Sequence, residues 1–552
     1  MKTVHASLCA SAVALVIAVA CQSSSETPKP AATQAPEPAV AAPAGAKIQP
    51  FLTADRCGQC HSQSPNAIAL TTATGDDASP HGTWQATMMA NAFRDPYWRA
   101  QMAHEIELAP HDKAAIETLC LTCHAPAASH TARLTGAAPP SIETAMRDPL
   151  AFDGVNCTVC HRTTSENLGT PASFNGNLAI KGDATIYGPF EKPATGPMRM
   201  HTGFTPTFGE HISTSALCGA CHTLYTQPSP DAPRFLEQAV YLEWRNSVFS
   251  DEHEKTGDSR TCQECHMPDV GSMRIARNPA GFDFATQVRD GVRAHTFVGG
   301  NAFMTDMLRV NAAELGVTAS ESALKRVAAA SRALLGHSTA TLAVSNVQRR
   351  PGGVAFDVKV ENLTGHKFPS GYPARRAWLA VEVRSGRNVL FHSGAVGDDG
   401  RLKGVADELA LPHFDRIERA DQVQVYEMLA VDQAGLPTTM LTRMAAHSKD
   451  NRLLPRGWKR DGPHADETRP VGTDSDANFT GGSDVVTYDV ALPETEGALL
   501  IVARLFYQSI PPAWAATLAD SKTPEAAQFL KYYAQAVQDP ETVAVTVVTV
   551  PK

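Results

Sequence analysis

Ten cysteines between Cys57 and Cys265 fall into one repeated unit, and this constrains the 552-residue chain more than any other feature. The units are Cys57-Gly-Gln-Cys60-His61, Cys120-Leu-Thr-Cys123-His124, Cys157-Thr-Val-Cys160-His161, Cys218-Gly-Ala-Cys221-His222 and Cys262-Gln-Glu-Cys265-His266. Every cysteine after Cys21 belongs to one of them. C-x-x-C-H is the attachment signal of c-type haem: the two thiols add to the porphyrin vinyl groups, and the histidine that follows is held beneath the iron as proximal ligand. Disulfides, zinc ribbons and thioredoxin-like pairs also use paired cysteines, but none explains a histidine after every second one. The expectation is five covalently bound haems c, with His61, His124, His161, His222 and His266 as proximal ligands.

Five porphyrins over Cys57 to His266 leave little chain per cofactor, so the polypeptide there reduces to short helices and loops around them. Helices are expected over Trp84 to Ala109 (interrupted near Pro96), Lys113 to His124 and Phe235 to Phe249. After about residue 300 the pattern changes. Residues 322–335 read as a helix with Ser320 as N-cap and Gly336 at its end. β-branched or alternating runs then follow at Val354 to Val360, Trp378 to Val383, Val389 to His392, Val423 to Val431, Val485 to Leu492, Leu499 to Tyr507 and Val543 to Val550, with turn residues between them. A late helix, Pro524 to Val537, starts at Thr523. The expected fold is multidomain: an α and irregular multihaem domain (51–300), a helical linker (301–336) and an all-β, sandwich-like domain (337–552). Composition agrees, since 43% hydrophobic and 19% charged residues exclude a disordered or polytopic membrane chain. A net charge of -9 supplies no footprint for nucleic acid.

The N-terminus speaks to location. Lys2 followed by an apolar run from Ala6 to Ala20 has the shape of a signal peptide (1–20) and is too short to span a bilayer. It ends Ile17-Ala18-Val19-Ala20-Cys21, which resembles a bacterial lipobox, so Cys21 is expected to carry the lipid. The Pro/Ala/Ser-rich segment 21–50 reads as a semi-extended tether that could reach roughly 90 Å at ~3.1 Å per residue. The chain is therefore expected to be a periplasmic or outer-membrane-anchored lipoprotein, with the cell surface open to it.

Around the fourth and fifth motifs stand His211-Ile-Ser-Thr-Ser-Ala-Leu-Cys218, Tyr241-Leu-Glu-Trp244-Arg-Asn-Ser247 and Thr261-Cys-Gln-Glu-Cys-His-Met267-Pro268. With these, residues 51–300 resemble the multihaem cytochromes of the cytochrome c554 and hydroxylamine-oxidoreductase-related family. The β half, with Asn362-Leu-Thr-Gly-His366-Lys-Phe-Pro-Ser-Gly371 and Lys449-Asp-Asn-Arg-Leu-Leu-Pro455, is similar to an accessory domain that follows such haem regions. The resemblance implies a Trp-x-x-Ser-x-His pattern. Here Met89 stands in the histidine slot after Trp84, and Phe249 stands in the slot after Trp244, so distal ligands do not transfer directly.

An iron with two imidazoles is coordinatively full and suited to passing one electron, whereas an open sixth position can bind substrate. The candidate distal ligands are His81, with Met89 as its rival, His211, His253 and His295, with His201 in reserve. His366 is added because Gly365, Pro369, Gly371 and Pro373 fix the loop that presents it. His104, His111 and His130 read as solvent-facing. Asp474-Ser-Asp476-Ala-Asn478 imitates the start of a calcium loop, but Phe479 and Val485 replace its essential Gly and Glu. Hydrolase, kinase and nicotinamide signatures are absent. The function expected is electron carriage between other redox proteins rather than catalysis. The alternatives are a reductase of nitrogen or sulfur oxyanions at one open haem, against which every motif ends in His, and a subunit of a conductive filament.

Overall fold

The computed structural model describes residues 49–552; the signal segment, Cys21 and nearly all of the tether lie outside the described residues. Among the described residues, no helix is long and apolar enough to cross a membrane.

Up to about residue 300 the chain is a run of short helices and two-stranded ribbons. Each motif starts or ends on a helix. The first two close the helices Ala54–His61 and Lys113–His124, the third and fifth open Cys157–Arg162 and Cys262–His266, and the fourth straddles the end of Ser215–Gly219. Local chemistry sets these ends. Asn156 accepts from the Val159 N–H, and Thr261 with Glu264 forms a reciprocal capping box. Of the stretch Trp84 to Ala109, only the part after the expected break is a helix, Pro96–Leu108 capped by Asp95, whereas a short helix Pro80–Trp84 ends at Trp84 and residues 85–94 are turns. A second expectation also fails. Phe235–Gln238 is a strand paired antiparallel with Leu224–Thr226, and the helix is confined to Val240–Arg245. The alternation of buried Phe235 and Glu237 with less buried Leu236 and Gln238 has period two, which the helical reading overlooked.

The helix Glu321–Ser338, capped by Ser320, runs through Gly336 instead of ending there. A mid-helix glycine costs only about 1 kcal/mol, and Leu335 beside it is anchored in the β core. The chain then builds two facing sheets. In one, Asn388–Ser393, Arg376–Ser385, Leu499–Gln508 and Glu541–Val550 lie side by side, with Val425–Tyr426 also on Arg376–Ser385. In the other, the order is Arg416–Ile417, Ser483–Ala491, Gly353–Asn362 and Ala340–Arg350. The inner faces supply Val354, Phe356, Val358 and Val360 on one side and Leu379, Val381, Val383, Ile501 and Leu505 on the other, in one continuous core. Each such side chain contributes about 1.5–3 kcal/mol on burial. The expected strand Val423 to Val431 divides, because Met428–Val431 leaves for a third sheet with Ala446–Asp450. The edge strand Ala340–Arg350 was not anticipated; its polar, half-exposed pattern hides it.

The two halves share packing. Tyr97 on Pro96–Leu108 packs edge-on against Phe529 of the late helix Pro524–Gln535 and hydrogen-bonds Tyr372, while the Glu105 carboxylate accepts from the backbone N–H groups of Leu441 and Thr442. The late helix interrupts the β run because it belongs to this junction.

Candidate functional site

Four of the five motif histidines are held the same way. The Nδ1–H of His61, His124, His161 and His266 donates to the backbone carbonyl of Ile275, Ala92, Tyr187 and Val298 at 2.7, 2.9, 2.6 and 2.5 Å. With the proton on Nδ1, the Nε2 lone pair is free for a metal, and the ring orientation is fixed. Burial pushes His124 and His222 down to about 4, so both are neutral imidazoles, the ligating form, at pH 7. Trp98 lies flat on His124, with ring centroids 4.3 Å apart at 6°. His222 makes no such carbonyl bond, and the residue is exposed although strongly desolvated.

The thiols cluster across motifs. Cys57 is pulled below the usual thiol range by a hydrogen bond with Cys157, which the same bond and burial push up. Cys218 and Cys262 form a second such pair, and Cys221 meets Cys123 in a third. Burial raises Cys160 to about 12, with Cys221 adding to it. The motifs therefore neighbour one another in the order first, third, fourth, with the second and fifth both beside the fourth. Gly176, at φ +72°, passes so close to Cys123 that a Cβ there would sit 3.1 Å from its sulfur.

Of the candidate distal residues, two face motif histidines. The His295 ring lies 6.3 Å from His161 at 22°, and the His366 ring lies 6.3 Å from His266 at 10°. Two imidazoles on one iron, with metal–nitrogen bonds of ~2.0 Å and each centroid ~1.15 Å from its nitrogen, stand ~6.3 Å apart. His295 and His366 also donate from Nδ1, to the carbonyls of Arg293 and Lys367 at 3.1 and 2.9 Å, and burial lowers both to about 4. His366 reaches the fifth motif beside Phe249, the residue in the second empty histidine slot, since a Cβ on Gly365 would lie 3.4 Å from the Phe249 ring.

The other three stand elsewhere. His81 packs over Gly58 of the first motif, with Nδ1 on Ser62 Oγ and Nε2 3.5 Å from Asp55. His211 spends Nε2–H on the Thr163 carbonyl at 2.8 Å, and His253 is exposed on a surface bend. His130, read as solvent-facing, is buried and donates from Nε2 to the Gly176 carbonyl. It lies on a separate helix, Pro126–Thr135, whose whole first half from Pro126 to His130 is buried. His447 was not singled out either; it is half-buried on a strand against Phe235 and Met428. The calcium-like Asp476 accepts from the Asn478 and Phe479 N–H groups and from His413 Nε2–H. The Gln424 and Asn451 amides both donate to His413 Nδ1, which leaves its proton on Nε2 and no lone pair there for a cation.

The motif surroundings fit a large group carrying polar substituents. Buried hydrogen-bonding atoms without a protein partner include Trp98 Nε1, Thr223 Oγ1, Gln263 Oε1 and Thr296 Oγ1, each within or next to a motif or facing residue. None of the ten described cysteines is in a disulfide.

No protein-family model matches the chain, and no curated protein does. Among solved structures, the chain is similar in fold to a penta-heme cytochrome c552 from Thermochromatium tepidum. The TM-score is 0.52 at 16% identity, and the match covers 91% of this chain and 100% of that one.

Proposed function

We propose that this chain is a five-haem c-type cytochrome that carries electrons between other redox proteins. The carrying observation is the pair of facing histidines, His161 with His295 and His266 with His366, each at the separation that one shared iron requires. The five motifs and the fold likeness to a penta-heme cytochrome support the same reading. Bound haem would supply one-electron iron chemistry. The protein's part is to anchor each porphyrin through two thioethers, to fix the imidazoles through their Nδ1–H bonds, and to keep water from the ligated faces. His61 and His124 have the same Nδ1 support, so every motif except the fourth holds a histidine in its ligating tautomer.

The order of neighbouring motifs supports a branched arrangement in which the fourth touches the second, third and fifth. A pyridine haemochrome assay should return five haems per chain, and clearly fewer would sink the reading. Electron paramagnetic resonance of the oxidised protein tests the reductase alternative, because an open sixth position gives a strong high-spin ferric signal. We also propose tethering to the envelope through lipid on Cys21. Cys21→Ser should move the protein from the membrane to the soluble fraction with an unchanged spectrum, and continued membrane association would refute it.

A further inference from the structure

The loop that presents His366 is tied to the helical half by charges that none of the motifs needs. The Lys367 backbone N–H donates to Glu243 Oε2 at 3.0 Å, across the junction. Lys367 Nζ donates to Asp450 Oδ2 at 2.6 Å. Arg452 grips the same carboxylate with two bonds, from Nε and Nη2, at 2.7 and 2.8 Å. Its Nη2 also stands 3.2 Å from Glu243 Oε1, an ion pair without hydrogen-bond geometry, which closes a ring of four charged residues. Glu243, Lys367, Asp450 and Arg452 are 0, 1, 2 and 5% exposed, so water does not screen the ring, and its two acids balance its two bases.

The other side of the same peptide is held as well. The His366 carbonyl accepts from Asn362 Nδ2 at 2.9 Å and from Thr364 Oγ1 at 2.8 Å. Gly365 lies against Trp244, where a Cβ would come within 3.1 Å of the indole. The His366–Lys367 peptide is thus fixed from the β half through its C=O and from the helical half through its N–H. The imidazole direction follows from that peptide. A buried ion ring is a weak source of net stability compared with apolar packing, but charge-assisted hydrogen bonds fix direction and register where apolar contacts can slide. A ligand bond of ~2 Å tolerates little sliding.

We infer that Glu243 is a positioning residue for the sixth ligand of the fifth motif, acting through this ring to lock the His366 loop onto the helical half. The inference rests on the reading that His266 and His366 share one iron. The test uses the purified, haem-loaded full chain with three variants: His366→Ala, Glu243→Ala and Glu243→Gln. His366→Ala should convert one haem of the loaded chain to high spin. Glu243→Ala should give at least half of that high-spin signal, and one ferrous haem should bind carbon monoxide at least tenfold faster than in the unmodified protein. Glu243→Gln keeps an oxygen acceptor for the Lys367 N–H but loses the charge that faces Arg452, so it should give a smaller high-spin signal than Glu243→Ala. A role in stability alone would lower the melting temperature and move neither signal. If His366→Ala becomes high-spin while Glu243→Ala stays low-spin and inert to carbon monoxide, the inference falls and the shared-iron reading stands. If His366→Ala stays low-spin, the reading falls and takes the inference with it. Should Glu243→Ala fail to accumulate, Lys367→Met removes the bond to Asp450 and keeps the backbone N–H. The same partial high-spin signal in that variant supports the inference, and an unchanged spectrum overturns it.

Discussion

The two halves solve the problem of an interior in opposite ways. In the β half, alternate residues of four long strands meet in one apolar core, and backbone polar groups are consumed in the sheet ladders. In the helical half, the apolar residues are scattered among small clusters such as Phe93, Leu121 and Ala125 or Phe51, Val159 and Leu178. Between those clusters stand the motif thiols and imidazoles, most of them only half-buried by protein atoms. The β half carries its own core, whereas the helical half is shaped around groups that the polypeptide does not supply.

The largest test of this contrast withholds the haem. Chain produced without haem attachment should keep the β-sheet circular dichroism while residues 49–300 are cleaved roughly tenfold faster than in the loaded protein, as expected for a region of low local stability. Equal protection of both halves would break the comparison. A smaller effect comes from the β core. Leu505→Ala should cost ~2–5 kcal/mol in denaturant unfolding, with every haem spectrum intact below the transition. A changed spin state in that variant would show the halves to be more tightly linked than their cores suggest.

Next comes His295→Ala, whose histidine belongs to the helical half. It should yield one high-spin haem and leave proteolysis at the junction unchanged, whereas His366→Ala should also make the junction easier to cleave. The smallest effect concerns Asp484, which burial beside Asp476 raises from 3.8 to about 7. The folded state then holds a proton that the unfolded state has released, so stability falls as pH rises from about 4 to about 7 and is flat above. Asp484→Asn should flatten the melting temperature over that window; an unchanged slope would assign the pH dependence to other groups.

Much of this was legible in the sequence, and unevenly. The motifs announced themselves because covalent chemistry demands fixed spacing. Strands such as Gly353–Asn362 were readable because each has one buried and one open face. The Phe235–Gln238 strand was lost because four residues are too few to separate period two from period 3.6 beside a true helix. At the site, loop chemistry pointed to His366 because two glycines and two prolines restrict its backbone. The charge ring was invisible, since Glu243, Lys367, Asp450 and Arg452 come together only through tertiary packing. His81 and His253 illustrate the converse: nearness in sequence to a motif says little about the direction in which an imidazole points.

The pairing of His266 with His366 joins residues lying a hundred positions apart, on opposite sides of the domain boundary. On the proposed reading, this sets a timetable for biogenesis. The fifth porphyrin can be stitched to its cysteines as soon as they emerge from the secretion channel, but its coordination is completed only after the following strands have been exported and folded. A chain that stalls before that point carries a reactive, half-ligated cofactor. Ligation of the fifth haem thus waits on a checkpoint, in which a later segment certifies an earlier one.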